Sequence, residues 1–377
     1  MTTRDPHLDN ARGLLIGLVV LGHVLTPLGT ASARALDLWI YTFHMAAFVT
    51  VSGYVARRWT GSPRQAAAVV TSLLVPYVAL DLVHGALTAA LTGEPFRVTL
   101  LTPGFSLWFL LALALWRLTT PVLRVLRHPV ALAVTLSLLL PLDRALDSTL
   151  SLGRVVGFLP FYALGACADA RLLERLRALG TRWRLAAGAY LLVLLGGCVL
   201  LGDRVTRGWF FLDGSYASLD LDPVPGLVVR AVCLVGGLAG TVAVLLLAPR
   251  GTSWLTRWGR NSLAIYVLHA LAVRPWLASE RVATLDGPLV VGGAACGAAL
   301  LTALLGLDVV SRGLDAVLRP AWLARRLVAP QAEPQAAPQA APRRGAPGVP
   351  DLEPEPGPEP EPDLEPGRGG RPPRPHA

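Results

Sequence analysis

The chain has 377 residues, of which 53% are hydrophobic and 16% charged, and it carries a formal net charge of +9. A soluble protein of this length holds about a quarter charged residues, so the composition excludes an ordinary soluble domain and predicts an all-α, polytopic membrane protein. The positive charge does not mark a nucleic-acid partner, because the arginines sit in short loops between apolar segments with no basic stripe on a soluble domain.

In chain order, ten transmembrane helices are predicted, at about 12–30, 36–56, 66–91, 104–118, 130–142, 153–170, 184–202, 226–248, 260–278 and 288–314. The fourth and fifth are short for a bilayer and read as either re-entrant or extended by a few residues. Arg4 and Arg12, an apolar run and then Ala31–Ala33 (ASA) have the outline of a cleavable secretory signal. The length of the run, with a second apolar segment directly behind it, favours an uncleaved first span. Loop arginines alternate: Arg57, Arg58 and Arg64, then the groups 117–127, 171–184 and 250–260, outnumber Arg34, Arg97, Arg144, Arg154, Arg204, Arg207, Arg274 and Arg281. The positive-inside rule makes the richer set cytoplasmic, and with an even number of spans both termini face the cytoplasm.

The loop at 203–225 contains RGWFFLDGSYASLDLDPVPG. Its aromatics beside acids suit either a sugar-contacting surface or an interfacial aromatic belt. Cys167, Cys198, Cys233 and Cys296 lie in apolar segments without close pairing, which argues against a disulfide framework or a metal site. Residues 1–327 form the expected membrane domain. From 328 to 377 the chain turns rich in Pro, Ala and Glu and is read as a disordered cytoplasmic tail.

The first span, NARGLLIGLVVLGHVL, carries Arg12 and His23. Eleven helical positions advance about 16.5 Å and overshoot three turns by about 20°, so both side chains share one face. A topology anchor and a structural hydrogen bond would account for them. Polar groups at such depth, however, usually face a bundle interior or a wet cavity, and an imidazole withdrawn from water favours its neutral, proton-accepting form. The second span places His44, Ser52 and Tyr54 in apolar surroundings. In the ninth, Ser262, Tyr266 and His269 at i, i+4 and i+7 share a face. Arg154 stands at an outer boundary. Asp81 and His84 share a face of the third span and Asp308 lies in the last; these acids are candidates for orienting a histidine or facing an arginine. Asp9 reads as a local partner of an interfacial arginine.

LDNARGLLIGLVVLGH, FHMAAFVTVSGY, LWFL, GRVVGFLPFYALG and GRNSLAIYVLH, in this order, resemble the motifs of the membrane acyltransferase 3 family, and look closest to its fucose 4-O-acetylase-like branch. The resemblance runs from about residue 8 to 320. It implies an integral membrane enzyme that moves an acyl group, commonly acetyl, from cytosolic acyl-CoA to a hydroxyl of a surface or secreted carbohydrate or glycosylated metabolite. It also implies that His23 is the catalytic histidine and that Arg12 supports the donor or the transition state. The Ala-rich HMAAFV departs from the bulkier family pattern, so the shape of the acceptor pocket does not carry over. On this reading Arg12 holds CoA at the inner mouth, and His23 deprotonates the acceptor hydroxyl or transiently takes the acyl group. Ser262, Tyr266 and Arg154 are candidate oxyanion donors, and His44, His269 and Asp81 are supporting polar residues. No bound cofactor or metal is expected, acetyl-CoA or another acyl-CoA being a substrate. The partners are the lipid bilayer, acyl-CoA and the carbohydrate acceptor, and the site of action is the inner cell membrane. The rival readings are a secondary transporter of a small polar solute and a silent scaffold displaying the tail. Transport finds little support, since Arg260 and His269, nine residues apart, would point to opposite faces of one helix.

Overall fold

The computed structural model describes residues 4–318, apart from 105, 145–148 and 286, together with residues 326 and 357. The expected tail therefore lies outside the described residues except for Gly357. Every regular element among the described residues is helical. The principal helices are α1 (Pro6–Leu25), α2 (Ala31–Ala56), α3 (Pro63–Thr92), α4 (Trp108–Val125), α5 (Pro129–Leu139), α6 (Leu152–Gly157), α7 (Leu159–Ala166), α8 (Ala170–Ala178), α9 (Thr181–Leu201), α10 (Pro223–Leu247), α11 (Trp254–Arg260), α12 (Ser262–Ala272), α13 (Pro288–Leu305) and α14 (Asp308–Leu318). Among them, six are long and apolar enough to cross a membrane, or eight if each of two sharply bent pairs is one span. Two shorter apolar helices, Pro129–Leu142 and Ser262–Leu277, stand where the remaining two spans are expected.

Proline and local capping explain most of the boundaries. Asp5 caps α1 by accepting from the His7 backbone amide at 3.1 Å, and Pro6 opens the helix without wasting a donor. Within α3 a π turn at Val70–Leu74 precedes Pro76, whose missing N–H interrupts the regular ladder. The expected sixth span breaks by 62° between α6 and α7, where Pro160 occupies the first turn of the second helix. The expected last span breaks by 63° after Leu305 at Gly306, and Asp308 begins a separate helix. The ninth is shorter than expected. Asn261, at φ −97° and ψ 14°, divides α11 from α12, so Arg260 and His269 do not share a helix.

Core and rim follow burial. In α1 and α2 two thirds of the apolar window is buried within the protein, whereas in α9 the share is 11%. The α9 leucines Leu192 and Leu200, 70% and 83% exposed, suit a lipid-facing rim. At its N-terminal half α1 meets α11 at backbone contact. A Cβ on Gly259 would collide with the Asp9 carbonyl, and one on Gly13 with that of Leu255. Buried Asn10 locks this contact, donating to the carbonyls of Pro249 (2.8 Å) and Gly251 (2.6 Å) and accepting from Ser253 (2.8 Å) and Thr256 (2.7 Å).

The two sets of loop arginines contact opposite ends of α1. Arg177 binds Asp5 and His7, and Arg260 pairs with Asp9, at the beginning of the helix. Arg207 binds Thr26 and Arg34 donates to the Gly29 carbonyl, both just beyond its end.

Candidate functional site

His23 lies in the last turn of α1, with its ring almost coplanar with that of His269 (4° between planes, centroids 5.1 Å apart). Nδ1 of His23 and Nε2 of His269 are 2.8 Å apart. On its far side, Nδ1 of His269 is 2.9 Å from the carbonyl of Ile265, one turn back in α12. A carbonyl only accepts, so Nδ1 of His269 carries hydrogen, and for two neutral rings the rest follows. Nε2 of His269 accepts from Nδ1 of His23, which makes Nε2 of His23 the nitrogen with the basic lone pair. The i−4 carbonyl thus sets the tautomer of one histidine, and that histidine sets the other. His44 repeats the device: its Nδ1 donates to the Ile40 carbonyl at 2.7 Å.

His23 and His44 line a cavity of about 180 Å³ with Tyr41, Ser106, Trp108, Phe158, Phe211 and Tyr266. Two arginines also line it, each tethered to an acid. Arg154 donates to Oδ2 of Asp213 through Nε (2.8 Å) and pairs with it through Nη2 (2.7 Å), and its guanidinium stands 5.2 and 5.3 Å from the ring centres of Trp108 and Phe211. Arg207 reaches Asp37 at 2.9 Å and Thr26 at 3.0 Å, and lies 5.3 Å from the rings of both Tyr41 and Phe211. The chamber therefore combines two imidazoles, flat aromatic faces and fixed hydrogen-bond donors.

Arg12 marks the other half of the site. Its Nη2 donates to Ser262 at 2.7 Å, while Nη1 lies 3.7 Å from Asp9. Arg12, Ser52, Arg117 and Ser262 line a second cavity of about 280 Å³, and Tyr266 is a wall common to it and the His23 chamber. A third cavity, about 560 Å³, is lined by Arg4, Asp9, Arg12, Tyr54, Arg57 and Arg58. Arg12 borders both of these, so the three spaces succeed one another along α1 from a basic mouth to His23. Buried Asp9 gathers Arg4 (3.2 Å), Arg12 and Arg260 (3.8 Å) at that mouth, as expected of a local partner.

The structure thus brings His23, His44, His269, Arg154 and Tyr266 together, and sets Arg12 with Ser262 one chamber away. Asp81 stands elsewhere, in a cavity of about 240 Å³ with His84. There its carboxylate accepts from the Thr99 amide (2.8 Å) and hydroxyl (2.6 Å). Asp308 faces an arginine, Arg257, at 3.7 Å and accepts from Asn261 at 2.6 Å. All four cysteines are free, and no group of metal-binding side chains occurs among the described residues. Sequence reasoning missed Thr26, Tyr41, Ser106 and Arg207 as lining groups, Asp37 as the partner of Arg207, and Asp213 as the partner of Arg154. The aromatic and acidic character of the 203–225 loop was the available signal for Arg207, Phe211 and Asp213.

A family model described as an acyltransferase domain matches residues 5–307. No curated protein and no solved structure matches the chain.

Proposed function

The chain belongs to the acyltransferase 3 family, and from that premise we propose that it is an integral membrane O-acyltransferase moving an acetyl or related acyl group from acyl-CoA to a carbohydrate hydroxyl, as in the fucose 4-O-acetylase-like branch. The observation that carries this reading is the chain from Ile265 through His269 to His23, which leaves Nε2 as the basic nitrogen of a ring that lines an aromatic chamber. Sugar rings stack on flat aromatic faces, and Arg154 and Arg207 offer donors for their hydroxyls.

The donor would enter at the basic mouth, where Arg4, Arg57 and Arg58 suit CoA phosphates. Arg12 and His23 stand about 16.5 Å apart along the helix, a distance for the pantetheine arm to span. The acceptor hydroxyl gives its proton to Nε2 of His23, and its oxygen attacks the thioester carbonyl. The tetrahedral intermediate then collapses, expelling the CoA thiolate, which takes the proton back from His23. His269 holds the ring in the productive tautomer throughout. The arginine bias of the loops supports an inner-membrane enzyme with both termini and the Arg12 mouth on the cytoplasmic side.

His23→Ala in a correctly inserted protein should abolish acyl-CoA-dependent CoA release, and unchanged turnover would refute the proposal. Solute flux that needs no CoA would favour a transporter instead. Mass spectrometry of surface glycans and secreted glycosylated metabolites, with and without the gene, should reveal the acceptor as the product that loses an ester.

A further inference from the structure

Two buried hydroxyls line the His23 chamber, and one of them, on Tyr266, also stands where that chamber borders the Arg12 chamber. The Tyr266 and Ser106 side-chain oxygens are inaccessible to solvent and close no hydrogen bond of good geometry among the described residues, although they are near neighbours and the Phe109 backbone also stands close to the phenol. Both residues are more than nine-tenths buried, and both line the His23 chamber. Burying a hydroxyl without a partner costs about 1–3 kcal/mol, and buried polar groups in folded proteins are nearly always satisfied. Were the two hydroxyls to turn toward each other, one O–H donor would still remain for an outside acceptor. The ring of Tyr266 is fully engaged by packing, its centre 5.7 Å from that of Phe109 and 5.9 Å from that of His269. Phenylalanine would fill the same space. Packing alone thus does not account for the hydroxyl, whose hydrogen-bonding capacity the folded protein leaves unused.

We propose that Tyr266 and Ser106 form the receptor for the thioester carbonyl oxygen and stabilise its negative charge during transfer. This deepens the acyltransfer reading and rests on it. Tyr266 borders both the Arg12 chamber and the His23 chamber, so a thioester reaching from the first into the second passes its phenol. Tyr266 and His269 are three residues apart on α12, which fixes the charge-stabilising donor relative to the ring that orients the base. As the acceptor oxygen bonds to the carbonyl carbon, the C=O electron pair moves onto oxygen and is met by the two O–H donors. When the C=O re-forms, the C–S bond breaks and thiolate leaves, taking the proton held by His23. Both catalytic hydroxyls end unchanged.

The test uses the full chain in nanodiscs with acetyl-CoA and a native membrane fraction as acceptor. Tyr266→Phe and Ser106→Ala should each lower kcat by about 10²-fold or more, while KM for acetyl-CoA changes little and the thermal midpoint stays level or rises. S-ethyl-CoA, which lacks the carbonyl, should inhibit the wild type and both variants equally. Wild-type kcat in both variants, or parallel weakening of S-ethyl-CoA, overturns the assignment. If wild-type turnover is lost in His23→Ala yet kept in both hydroxyl variants, only this inference falls. If the wild type releases no CoA, the acyltransfer reading falls and takes this one with it.

Discussion

His269→Ala isolates the role of the second histidine. The substitution removes the acceptor 2.8 Å from Nδ1 of His23 and leaves that N–H facing a space the size of an imidazole. An unsatisfied buried donor costs about 1–3 kcal/mol, and the ring can escape this only by shifting its proton to Nε2, where it no longer serves as a base. At about 1.36 kcal/mol per tenfold, kcat should fall by ~10- to 100-fold. The loss should be smaller than the ~10⁴-fold cost of removing the orienting carboxylate of a Ser-His-Asp triad, because the partner here is neutral and stabilises no imidazolium by charge. His269→Gln offers Oε1 near the vacated Nε2 position and should recover to within ~10-fold of wild type. The assay is thiol-detected CoA release in nanodiscs, with insertion and thermal midpoint checked for each variant. A His269→Ala protein with wild-type kcat and normal insertion would refute the tautomer argument, as would equal loss in the alanine and glutamine variants.

Arg12→Lys should raise KM for acyl-CoA by ~10-fold or more, since one ammonium cannot reproduce the guanidinium fork that meets Ser262 and Asp9 together; saturation curves at fixed acceptor would show it. Gly259→Ala puts a methyl into the Asp9 carbonyl and should destabilise the protein by about 1–3 kcal/mol, read as a lower thermal midpoint. Asp5 makes a pH prediction. Burial raises its carboxyl, but the hydrogen bond and charge of Arg177 outweigh that and leave it below the ordinary carboxylate range. A carboxyl depressed in the folded state stabilises above its unfolded pKa, and the stabilisation is lost as pH falls through the folded value. Asp5→Asn keeps the cap, so its thermal midpoint should be lower than wild type near neutrality, with the gap closing as acid protonates Asp5.

The sequence by itself determined what depends on local composition and period. Apolar runs of bilayer length placed the helices, because a lipid-embedded backbone leaves few alternatives. The 3.6-residue repeat put Arg12 and His23 on one stripe, and put Ser262, Tyr266 and His269 on another. Tertiary structure decided what depends on contacts between distant segments. Where helices break is partly a packing decision: Asn261 interrupts the ninth span while bonding Gly306 and Asp308. Arg207 meets Asp37 across 170 positions, and His269 meets His23 across 246. No periodicity within one helix encodes such a pairing. Asp81 looked equivalent to the other buried polar groups in sequence, yet its partner Thr99 draws it into a separate cavity. A polar side chain inside a membrane protein must find a partner, and which partner it finds depends on how the helices pack around it.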